Sequence, residues 1–347
     1  MKTITINPGS VTFEVNEEET ILSAALRNGL IVPYGCKDGA CGSCKAKITD
    51  GSVDYGLHQR RALSEFEKSN QSLLLCTARP LTNLEITANV LSISKEYQAK
   101  KLPCRIETIK KVTEDVCVIS LKLPGNQKFS FLPGQYIDLL LEDGKRRSYS
   151  MANAPNDDNV IELHIKHNPG GLFTDPLFGF QNDGKVKVVE KKIFRLEGPL
   201  GTFYFRKNIK KKIIFLASGT GIGPIKAIVE GLLLDNAQYN IALFWGVRKP
   251  KDLYLTKTIE NWSEQIQNFS YIPVVSEATI EDNWKGRTGF VHHALMEDYS
   301  SLEEYAVYAC GSPLMVSAAF DDLTKNSQLG EKNFFSDAFT VATDAKK

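Results

Sequence analysis

Hydrophobic and polar positions along the chain change their period twice and so divide it into three regions. In the first region, Thr3–Ile6 and Val11–Val15 alternate apolar and polar residues on either side of a Pro-Gly turn, a pattern that predicts a β-hairpin. Thr20 then precedes apolar residues at helical spacing and Gly29 follows them, so a short helix is expected between the two. Residues 64–67, SEFE, have the spacing of a capping box and predict a second short helix.

The hydrophobic patterns of the second and third regions predict a β-barrel and an α/β sheet. From Cys104 to about residue 207 the chain consists of short β-type runs separated by turns, which predicts a small antiparallel β-barrel. Beyond it, apolar strands alternate with helical segments, the first of which is expected at 225–234 after the run GTGIGP. We therefore expect a doubly wound parallel sheet that binds a nucleotide at the carboxyl ends of its strands. The expected domains are 1–92, 104–207 and 208–347, with 93–103 as a polar linker. An extra helix packed on one neighbour is the alternative for that linker.

Composition narrows the class of protein. The chain has 347 residues, of which 42% are hydrophobic and 24% charged, as in ordinary globular proteins of two or three domains. Its net charge of +1 argues against non-specific binding of nucleic acid. No apolar run is long enough to span a membrane, and the first residues lack the apolar core of a signal peptide. Seven cysteines in a chain of this size do not resemble a secreted disulfide scaffold, and we expect a reducing, cytoplasmic location.

Four cysteines form the most specific motif of the chain. Cys36, Cys41 and Cys44 have C-x4-C-x2-C spacing, and Cys76 follows 32 residues after the third. This is the plant-type ligand pattern of a 2Fe–2S cluster, whose fourth thiolate comes from far along the chain. Glycine and other small residues between the ligands allow the loop to turn tightly and to direct amides at sulfur. A structural zinc site is the alternative, although such sites usually pair two short cysteine knuckles.

Two stretches of the barrel region have residues suited to a nucleotide with a flat ring. In Arg147-Ser148-Tyr149-Ser150, the guanidinium can bind a pyrophosphate bidentately, while the phenol and hydroxyl can contact a ring and its polar edge. Residues 169–174, PGGLFT, follow a strand and open a helical stretch, which predicts an anion site at a helix N-terminus. Either motif alone is best explained as a chance occurrence on a barrel surface. Because the two follow each other along the chain, together they favour a nucleotide-binding site.

Taken together, the runs FLPGQYIDL, RRSYSMANAP, ELHI, PGGLFTD and LEGPLGTF resemble the flavin domain of the ferredoxin–NADP reductase family. The loop GTGIGP and the run CGSP, with a methionine two residues on, resemble its pyridine-nucleotide domain. The order of the first region also resembles a ferredoxin β-grasp fold. The resemblance implies a 2Fe–2S cluster, FAD and a nicotinamide nucleotide as cofactors. It implies these cofactor-binding residues: Arg147, Ser148, Tyr149, Ser150, Ile165, Lys166, Gly170, Gly171, Leu172, Thr174, Gly219, Thr220, Gly221, Ile222, Gly223, Pro224, Glu277, Cys310, Gly311, Ser312, Met315 and Phe339.

The resemblance also implies catalytic roles for Ser150 and for Cys310, whose counterpart in the family lies beside the nicotinamide during hydride transfer. The alternative for Cys310 is a buried cysteine at a strand end without a function, as free cysteines often are. Near the C-terminus, Phe339 and Asp337 are candidates for a position close to the flavin ring. Cys104 and Cys117 lack such a context, and we expect them to be structural.

The choice between the two nicotinamide nucleotides depends on the charge near the ribose. Glu277 follows the strand at 272–275, where relatives that prefer NADPH tend to carry an arginine. A carboxylate would repel a 2′-phosphate and could accept a hydrogen bond from a ribose hydroxyl, which favours NADH. Arg248 and Lys249 could instead pair with the phosphate and are the argument for NADPH.

The whole pattern resembles an NADH-dependent iron–sulfur flavoprotein reductase. What the resemblance implies is electron delivery to a partner dehydrase that carries pyridoxamine phosphate, and the reductase component of an oxygenase is the alternative. A carrier protein with relic cofactor sites is a third hypothesis. Residues 36–44 are expected to face the partner because electrons must leave by the exposed edge of the cluster. The lysine-rich segment 183–192 is expected to be a solvated surface hairpin.

Overall fold

The computed structural model describes residues 1–91, 97–180, 187–207 and 209–340. The chain divides into two compact units, Met1–Glu96 and Tyr97–Lys347. Residues 93–96 of the predicted linker and 183–186 of the lysine-rich segment lie outside the described residues.

The first unit is a five-stranded mixed sheet with two short helices. The sheet has the order β2-β1-β7-β3-β5, in which β1 and β7 are parallel neighbours, while β4 and β6 form a separate pair. Ile4 and Ile6 of β1 and Ile86 of β7 are fully buried. The elements are β1 (Lys2–Asn7), β2 (Val11–Val15), α1 (Ile21–Arg27), β3 (Lys45–Asp50), β4 (Val53–Asp54), α2 (Glu65–Ser69), β5 (Ser72–Leu74), β6 (Arg79–Pro80) and β7 (Leu84–Thr87).

Both helices of this unit begin where the sequence predicts. The Thr20 hydroxyl accepts a hydrogen bond from the Ser23 amide at the start of α1. At α2 the capping box is complete, because the Glu67 amide donates to the Ser64 hydroxyl and the Ser64 amide donates to the Glu67 carboxylate. These side chains satisfy amides that have no acceptor within the helix.

A six-stranded antiparallel sheet forms the first half of the second unit. Its order is β11-β10-β13-β8-β9-β12, and the two edge strands meet in a single bridge between Met151 and Leu163. The predicted antiparallel, strand-rich domain is therefore confirmed, and its edges meet in this one short contact rather than in the full ladder of a closed barrel. Its elements are β8 (Lys100–Lys111), β9 (Val116–Lys122), β10 (Tyr136–Leu140), β11 (Arg146–Ser150), β12 (Val160–Lys166), α3 (Thr174–Leu177) and β13 (Ile193–Leu200).

A six-stranded parallel sheet forms the second half, in the order β17-β16-β15-β14-β18-β19. This arrangement confirms the predicted doubly wound sheet. The strand order reverses between β14 and β18, which creates a crevice at their carboxyl ends. The elements are β14 (Lys212–Ser218), α4 (Ile222–Leu234), β15 (Asn240–Val247), α5 (Thr256–Gln265), β16 (Phe269–Val275), β17 (Arg287–Thr288), α6 (Val291–Asp298), β18 (Tyr305–Gly311), α7 (Pro313–Asn326) and β19 (Phe334–Ala338).

The central strands of this sheet are covered on both faces. Residues 213–217 of β14 are all buried, as are residues 306–311 of β18, which explains their nearly continuous apolar sequence. Helix α4 starts at Ile222, three residues before its predicted start, because Gly219–Gly221 form a 3-10 turn that leads directly into it.

The described end of the lysine-rich segment runs along β8 rather than projecting as a free loop. The Lys191 amide donates to the Ile106 carbonyl and the Ile106 amide donates to the Lys192 carbonyl. Val188 is buried in the barrel core. Within the ranges that the structure describes, no helix is both long and apolar enough to cross a bilayer.

Candidate functional site

Strand pairing brings the distant fourth cysteine to the cluster loop. Cys44 immediately precedes β3 and Cys76 follows β5, and these two strands pair with Lys45 opposite Leu74. The two cysteine sulfurs therefore lie 3.2 Å apart in a buried position.

Backbone amides point at the sulfurs of the loop. The Cys36 and Ser43 amides each lie 3.5 Å from the Cys41 sulfur, and the Ala40 amide lies 3.4 Å from the Cys36 sulfur. The hydrogen bond from the Cys36 thiol outweighs burial and lowers the pKa of Cys41 to about 6, with the amides adding to the effect. Such donors stabilise the negative charge of thiolate sulfur.

The donor set fits a cluster that is held by four thiolates. All seven cysteines of the chain are free, so none of the four is withdrawn into a disulfide. Cys36 and Cys41 are partly exposed, whereas Cys44 and Cys76 are buried. Cys36, Cys41, Cys44 and Cys76 would hold the cluster, which therefore has a buried side and a side near the surface.

Gly39 allows the cluster loop to lie against its neighbours. Its backbone has a φ of +75°, and its carbonyl accepts a hydrogen bond from the Gln59 amide. A Cβ here would lie 2.8 Å from Thr77 Cγ2 and 2.9 Å from the Leu57 carbonyl oxygen. Only glycine combines this conformation with this proximity.

The predicted flavin strand β11 presents its residues to two faces. The Tyr149 ring packs 5.6 Å from the Phe173 ring, at the edge of the barrel core, and alternation places Arg147 on the same face. On the other face, the Ser148 hydroxyl donates to Asp138 Oδ1 over 2.6 Å. Ser150 is half-buried and lies opposite Tyr136 in the ladder.

The predicted anion site at 169–174 leads into a single helical turn. The Gly170 amide donates to the Asp175 carboxylate over 3.1 Å, so an anion would have to replace that carboxylate. The Thr174 hydroxyl is buried and donates to the Asn168 carbonyl over 2.8 Å. Thr174 therefore shapes the turn in this structure.

Other predicted flavin contacts are divided between interior and surface. Ile165 is fully buried in the barrel core, and Leu172 packs against it from a partly buried position. Lys166 is exposed, and its ammonium lies 3.2 Å from Asp115 Oδ2.

The structure brings the two predicted nucleotide motifs together at the reversal of strand order. We call residues 219–224, GTGIGP, the glycine loop. A Cβ on Gly221 would lie 2.1 Å from the Cys310 carbonyl oxygen, so the glycine loop lies directly against the end of β18. The Ser312 amide donates to the Ser218 hydroxyl over 2.8 Å and ties the same two strand ends together. Thr220, Ile222 and Pro224 are buried and form the base of this loop.

Cys310 is fully buried at this point. Burial raises the pKa of its thiol well above the usual value, and the charge of Asp337 raises it further. Asp337 lies opposite Cys310 in the pairing of β18 with β19, and the Phe339 amide donates to the Gly311 carbonyl over 2.8 Å. The C-terminal candidates therefore lie next to the cysteine, and Met315 lies partly buried in the first turn of α7.

Glu277 and Arg248 lie together at the carboxyl ends of β16 and β15. The Glu277 amide donates to the Arg248 carbonyl over 2.9 Å, and Arg248 Nε lies 3.8 Å from Glu277 Oε1. Both side chains are exposed, at 59% and 72% respectively. Glu277, predicted to favour NADH, and Arg248, one of the two cations that argue for NADPH, therefore form one surface ion pair.

Sequence reasoning missed a buried polar cluster around Lys226. Its ammonium lies 2.7 Å from Glu230 Oε1 and 3.0 Å from Glu162 Oε1, and the whole residue is only 8% exposed. The available signal was a lysine within the apolar stretch IGPIKAIVEG, with a glutamate four residues later.

A second group that the sequence did not indicate contains two adjacent histidines. His292 Nε2 and His293 Nε2 lie 3.4 and 3.9 Å from Asp322 Oδ2. The second ring nitrogen of His292, Nδ1, is buried and makes no hydrogen bond with the described residues. Metal-binding histidines usually donate that second N–H to an acceptor, so we assign no metal to this group.

Comparisons with known proteins cover each part of this arrangement. The profile of the 2Fe-2S iron-sulfur cluster binding domain matches residues 4–81. The oxidoreductase FAD-binding domain matches residues 103–205, and the oxidoreductase NAD-binding domain matches residues 215–321. The chain is thus an oxidoreductase with iron–sulfur, flavin and nicotinamide-nucleotide domains, and the iron–sulfur interpretation is confirmed over zinc.

Relatives match over nearly their whole length. The chain is 38% identical to the CDP-6-deoxy-L-threo-D-glycero-4-hexulose-3-dehydrase reductase of Yersinia pseudotuberculosis, over 97% of this chain and 98% of that one. It is 32% identical to the phenol hydroxylase P5 protein of Acinetobacter pittii, over 98% and 95% respectively. A solved ferredoxin reductase in carbazole 1,9a-dioxygenase has a TM-score of 0.69 and 26% identity, with 98% of both chains covered. The chain therefore belongs to the iron–sulfur flavoprotein reductases of the ferredoxin–NADP reductase superfamily.

Replacing Gly39 with alanine should prevent assembly of the cluster. The added Cβ would overlap Thr77, His58 and the Leu57 carbonyl, all at less than 3.0 Å, so the loop must shift. We expect iron and acid-labile sulfide per protein to fall severalfold, together with the visible absorbance of the cluster.

Gly29→Ala is the matched control. Gly29 also has a φ of +75°, but nothing lies within 4 Å of its Cβ position. It carries the same left-handed strain, about 1–2 kcal/mol, without the overlap. Equal loss of iron from both variants would show that close approach at Gly39 is unimportant.

Proposed function

We propose that this protein oxidises NADH and passes the electrons singly, through FAD and its 2Fe–2S cluster, to a partner protein. The proposal rests on one observation. A single chain contains a 2Fe–2S cluster domain, a flavin domain and a nicotinamide-nucleotide domain, in that order. When bound, the nicotinamide supplies two electrons as a hydride, the cluster accepts one, and the flavin exchanges either, so the flavin must act between them.

The residues of the flavin and nucleotide domains then have separate tasks. Arg147 binds the pyrophosphate of FAD, and Tyr149 provides an aromatic surface that the barrel core holds in place. Ser150 and Cys310 contact the reacting rings. Support for Cys310 comes from its position at the reversal of strand order, where open α/β sheets bind their ligands.

Glu277 selects NADH. Support comes from its place just after β16, where its carboxylate would repel the 2′-phosphate of NADPH, and from its ion pair with Arg248, one of the two candidate cations for that phosphate. A ribose hydroxyl, by contrast, can donate a hydrogen bond to it.

The partner is a dehydrase that carries pyridoxamine phosphate and acts in the synthesis of 3,6-dideoxy sugars. Support comes from the 38% identity to the Yersinia dehydrase reductase, and from runs such as YGCKDGACGSCKA, GFVHHALMED and FFSDAF, which resemble CDP-6-deoxy-Δ3,4-glucoseen reductase. The partly exposed loop that contains Cys36 and Cys41 is the surface from which electrons leave.

The reductase component of a multicomponent oxygenase is the second candidate. It is favoured by the 32% identity to the phenol hydroxylase protein and by the likeness to the dioxygenase ferredoxin reductase. NADH oxidation that depends on an added pyridoxamine phosphate-dependent dehydrase, and not on an added oxygenase, would support the first candidate.

Cys41→Ser should separate the two halves of the electron path. Under anaerobic titration with NADH, the unaltered protein should lose its flavin absorbance and then show the electron paramagnetic resonance signal of a reduced cluster. The variant should keep the first response and lose both the second and cytochrome c reduction, because one cluster ligand is missing. Cys117→Ser, a buried cysteine of β9, is the control. Loss of flavin reduction in Cys41→Ser would contradict the proposed order.

Arg147→Ala should weaken FAD binding by about 10- to 100-fold, because a hydrogen bond to a charged group contributes about 1.5–3 kcal/mol. Equilibrium dialysis of the deflavinated protein measures the dissociation constant. Arg146→Ala removes a guanidinium from the other face of the same strand, where it pairs with Glu197 over 2.7 Å. Equal FAD affinity in Arg147→Ala and the unaltered protein would remove the proposed phosphate contact.

Glu277→Arg should raise the preference for NADPH over NADH by at least about tenfold in kcat/KM, equivalent to about 1.4 kcal/mol. The substitution removes the repulsive carboxylate and adds a bidentate phosphate ligand. Steady-state ferricyanide reduction with each nucleotide measures the ratio. Glu264→Arg makes the same charge change at an exposed position of α5 and should leave the ratio unchanged. An unaltered ratio in Glu277→Arg would refute the role of this carboxylate.

A further inference from the structure

A buried ammonium lies between the flavin and nucleotide domains. Lys226, on α4, is 8% exposed. Its Nζ lies 2.9 Å from the Ala152 carbonyl oxygen, 3.0 Å from Glu162 Oε1 and 2.7 Å from Glu230 Oε1. An ammonium has three hydrogens, and each has an acceptor here, as a buried charge requires.

The acceptors come from both domains. Ala152 follows the flavin strand β11 by two residues, and Glu162 lies on β12 of the same barrel. Glu230 lies on α4 beside the lysine, and its second oxygen accepts a hydrogen bond from the Ala154 amide over 3.2 Å. The interaction therefore holds the chain just after the flavin strand against the helix that starts at the glycine loop.

Glu162 continues the network into the nucleotide domain. Its carboxylate lies 2.9 Å from His164 Nε2, and His164 Nδ1 lies 3.0 Å from the Tyr254 hydroxyl. The Tyr254 ring packs edge-on against the Trp245 ring, and the Trp245 indole N–H donates to the Gly219 carbonyl over 3.0 Å. The series of contacts thus returns to the first glycine of the nucleotide loop.

Glu162 is ionised in this setting. Burial would raise the pKa of its carboxyl, but the hydrogen bond from His164 and the charge of Lys226 together outweigh it and lower the pKa to about 2. Removing the ammonium would leave the ionised, partly buried Glu162 carboxylate without its cation.

The glycine loop also lies against the barrel by direct contact. A Cβ on Gly223 would lie 3.3 Å from Ala152 Cβ and 3.6 Å from His164 Cβ. The same two residues that take part in the Lys226 network thus meet the backbone of the loop. A Cβ at position 223 would crowd Ala152, which would have to give way by a few tenths of an ångström.

We propose that Lys226 is a positioning residue for hydride transfer, which fixes the end of the flavin strand relative to the nucleotide loop. The inference rests on the proposed function, in which NADH gives up a hydride to become NAD⁺ and FAD is reduced. Hydride transfer requires the reacting atoms to be about 3–3.5 Å apart, and an error of about 1 Å can cost about 100-fold in rate. Lys226 acts through the backbone that carries the two cofactor sites.

The test is Lys226→Met, which keeps an unbranched side chain one atom shorter and removes the charge. With the loaded protein in an anaerobic stopped-flow instrument, flavin reduction at saturating NADH should slow by about 10- to 100-fold. The primary isotope effect with 4-deuterated NADH should rise, while the dissociation constant of NADH stays within about twofold of its original value. Hydrogen exchange at the Ala154 amide should become faster, because Glu230 loses its cation. Electron transfer from the dithionite-reduced variant to cytochrome c should be unchanged.

Lys207→Met is the matched control, since Lys207 pairs with Asp235 over 2.8 Å at an exposed position and should change none of these values. Gly223→Ala keeps Lys226 but crowds Ala152 at the same contact, and it should change the rate of flavin reduction and the isotope effect in the same direction by a smaller amount. A Lys226→Met variant that loses FAD or stability, but reduces its remaining flavin at the original rate, would overturn the proposal and leave Lys226 a structural residue. Absence of flavin reduction by NADH in the unaltered protein would instead refute the proposed function itself.

Discussion

The hydrogen-bonded register of neighbouring strands is the constraint on which every candidate site of this chain depends. The pairing of β3 with β5 places Cys44 and Cys76 side by side. The pairing of β14 with β18 places the glycine loop against Cys310. The pairing of β15 with β16 sets Arg248 beside Glu277. A shift of one residue in any of these pairs would turn the side chains to the opposite face and dismantle the site.

Charge is handled differently at the surface and in the interior. The Arg248–Glu277 pair is exposed and separated by 3.8 Å, so it contributes little to stability and is free to respond to a ligand. The ammonium of Lys226 is buried and has an acceptor for each hydrogen, so it resists change. The first arrangement suits selection between nucleotides, and the second suits a fixed geometry between two cofactor sites.

The sequence predictions were accurate where the interacting residues are close together in the chain, and less accurate where they are far apart. The capping box at Ser64 and Glu67 was predicted and is present, because its partners are three residues apart. The start of α4 was predicted three residues late, since the loop Gly219–Gly221 has the composition of a turn and forms a 3-10 turn continuous with the helix. The barrel was predicted from its short strands, but the single bridge that joins Met151 to Leu163 at its seam had no sequence signal.

The sequence by itself determined the iron–sulfur chemistry, because the C-x4-C-x2-C spacing of Cys36, Cys41 and Cys44 is a local pattern typical of a 2Fe–2S cluster. The run Arg147–Ser150 gave a prediction of the flavin site. The tertiary structure alone decided which charges are buried and what compensates them. The ammonium of Lys226 donates to a carbonyl 74 residues away in the chain, and the hydrophobic pattern of the sequence does not predict that contact. Such contacts depend on how a barrel and a parallel sheet pack against each other, and packing between domains is set by shape over long sequence separations rather than by local pattern.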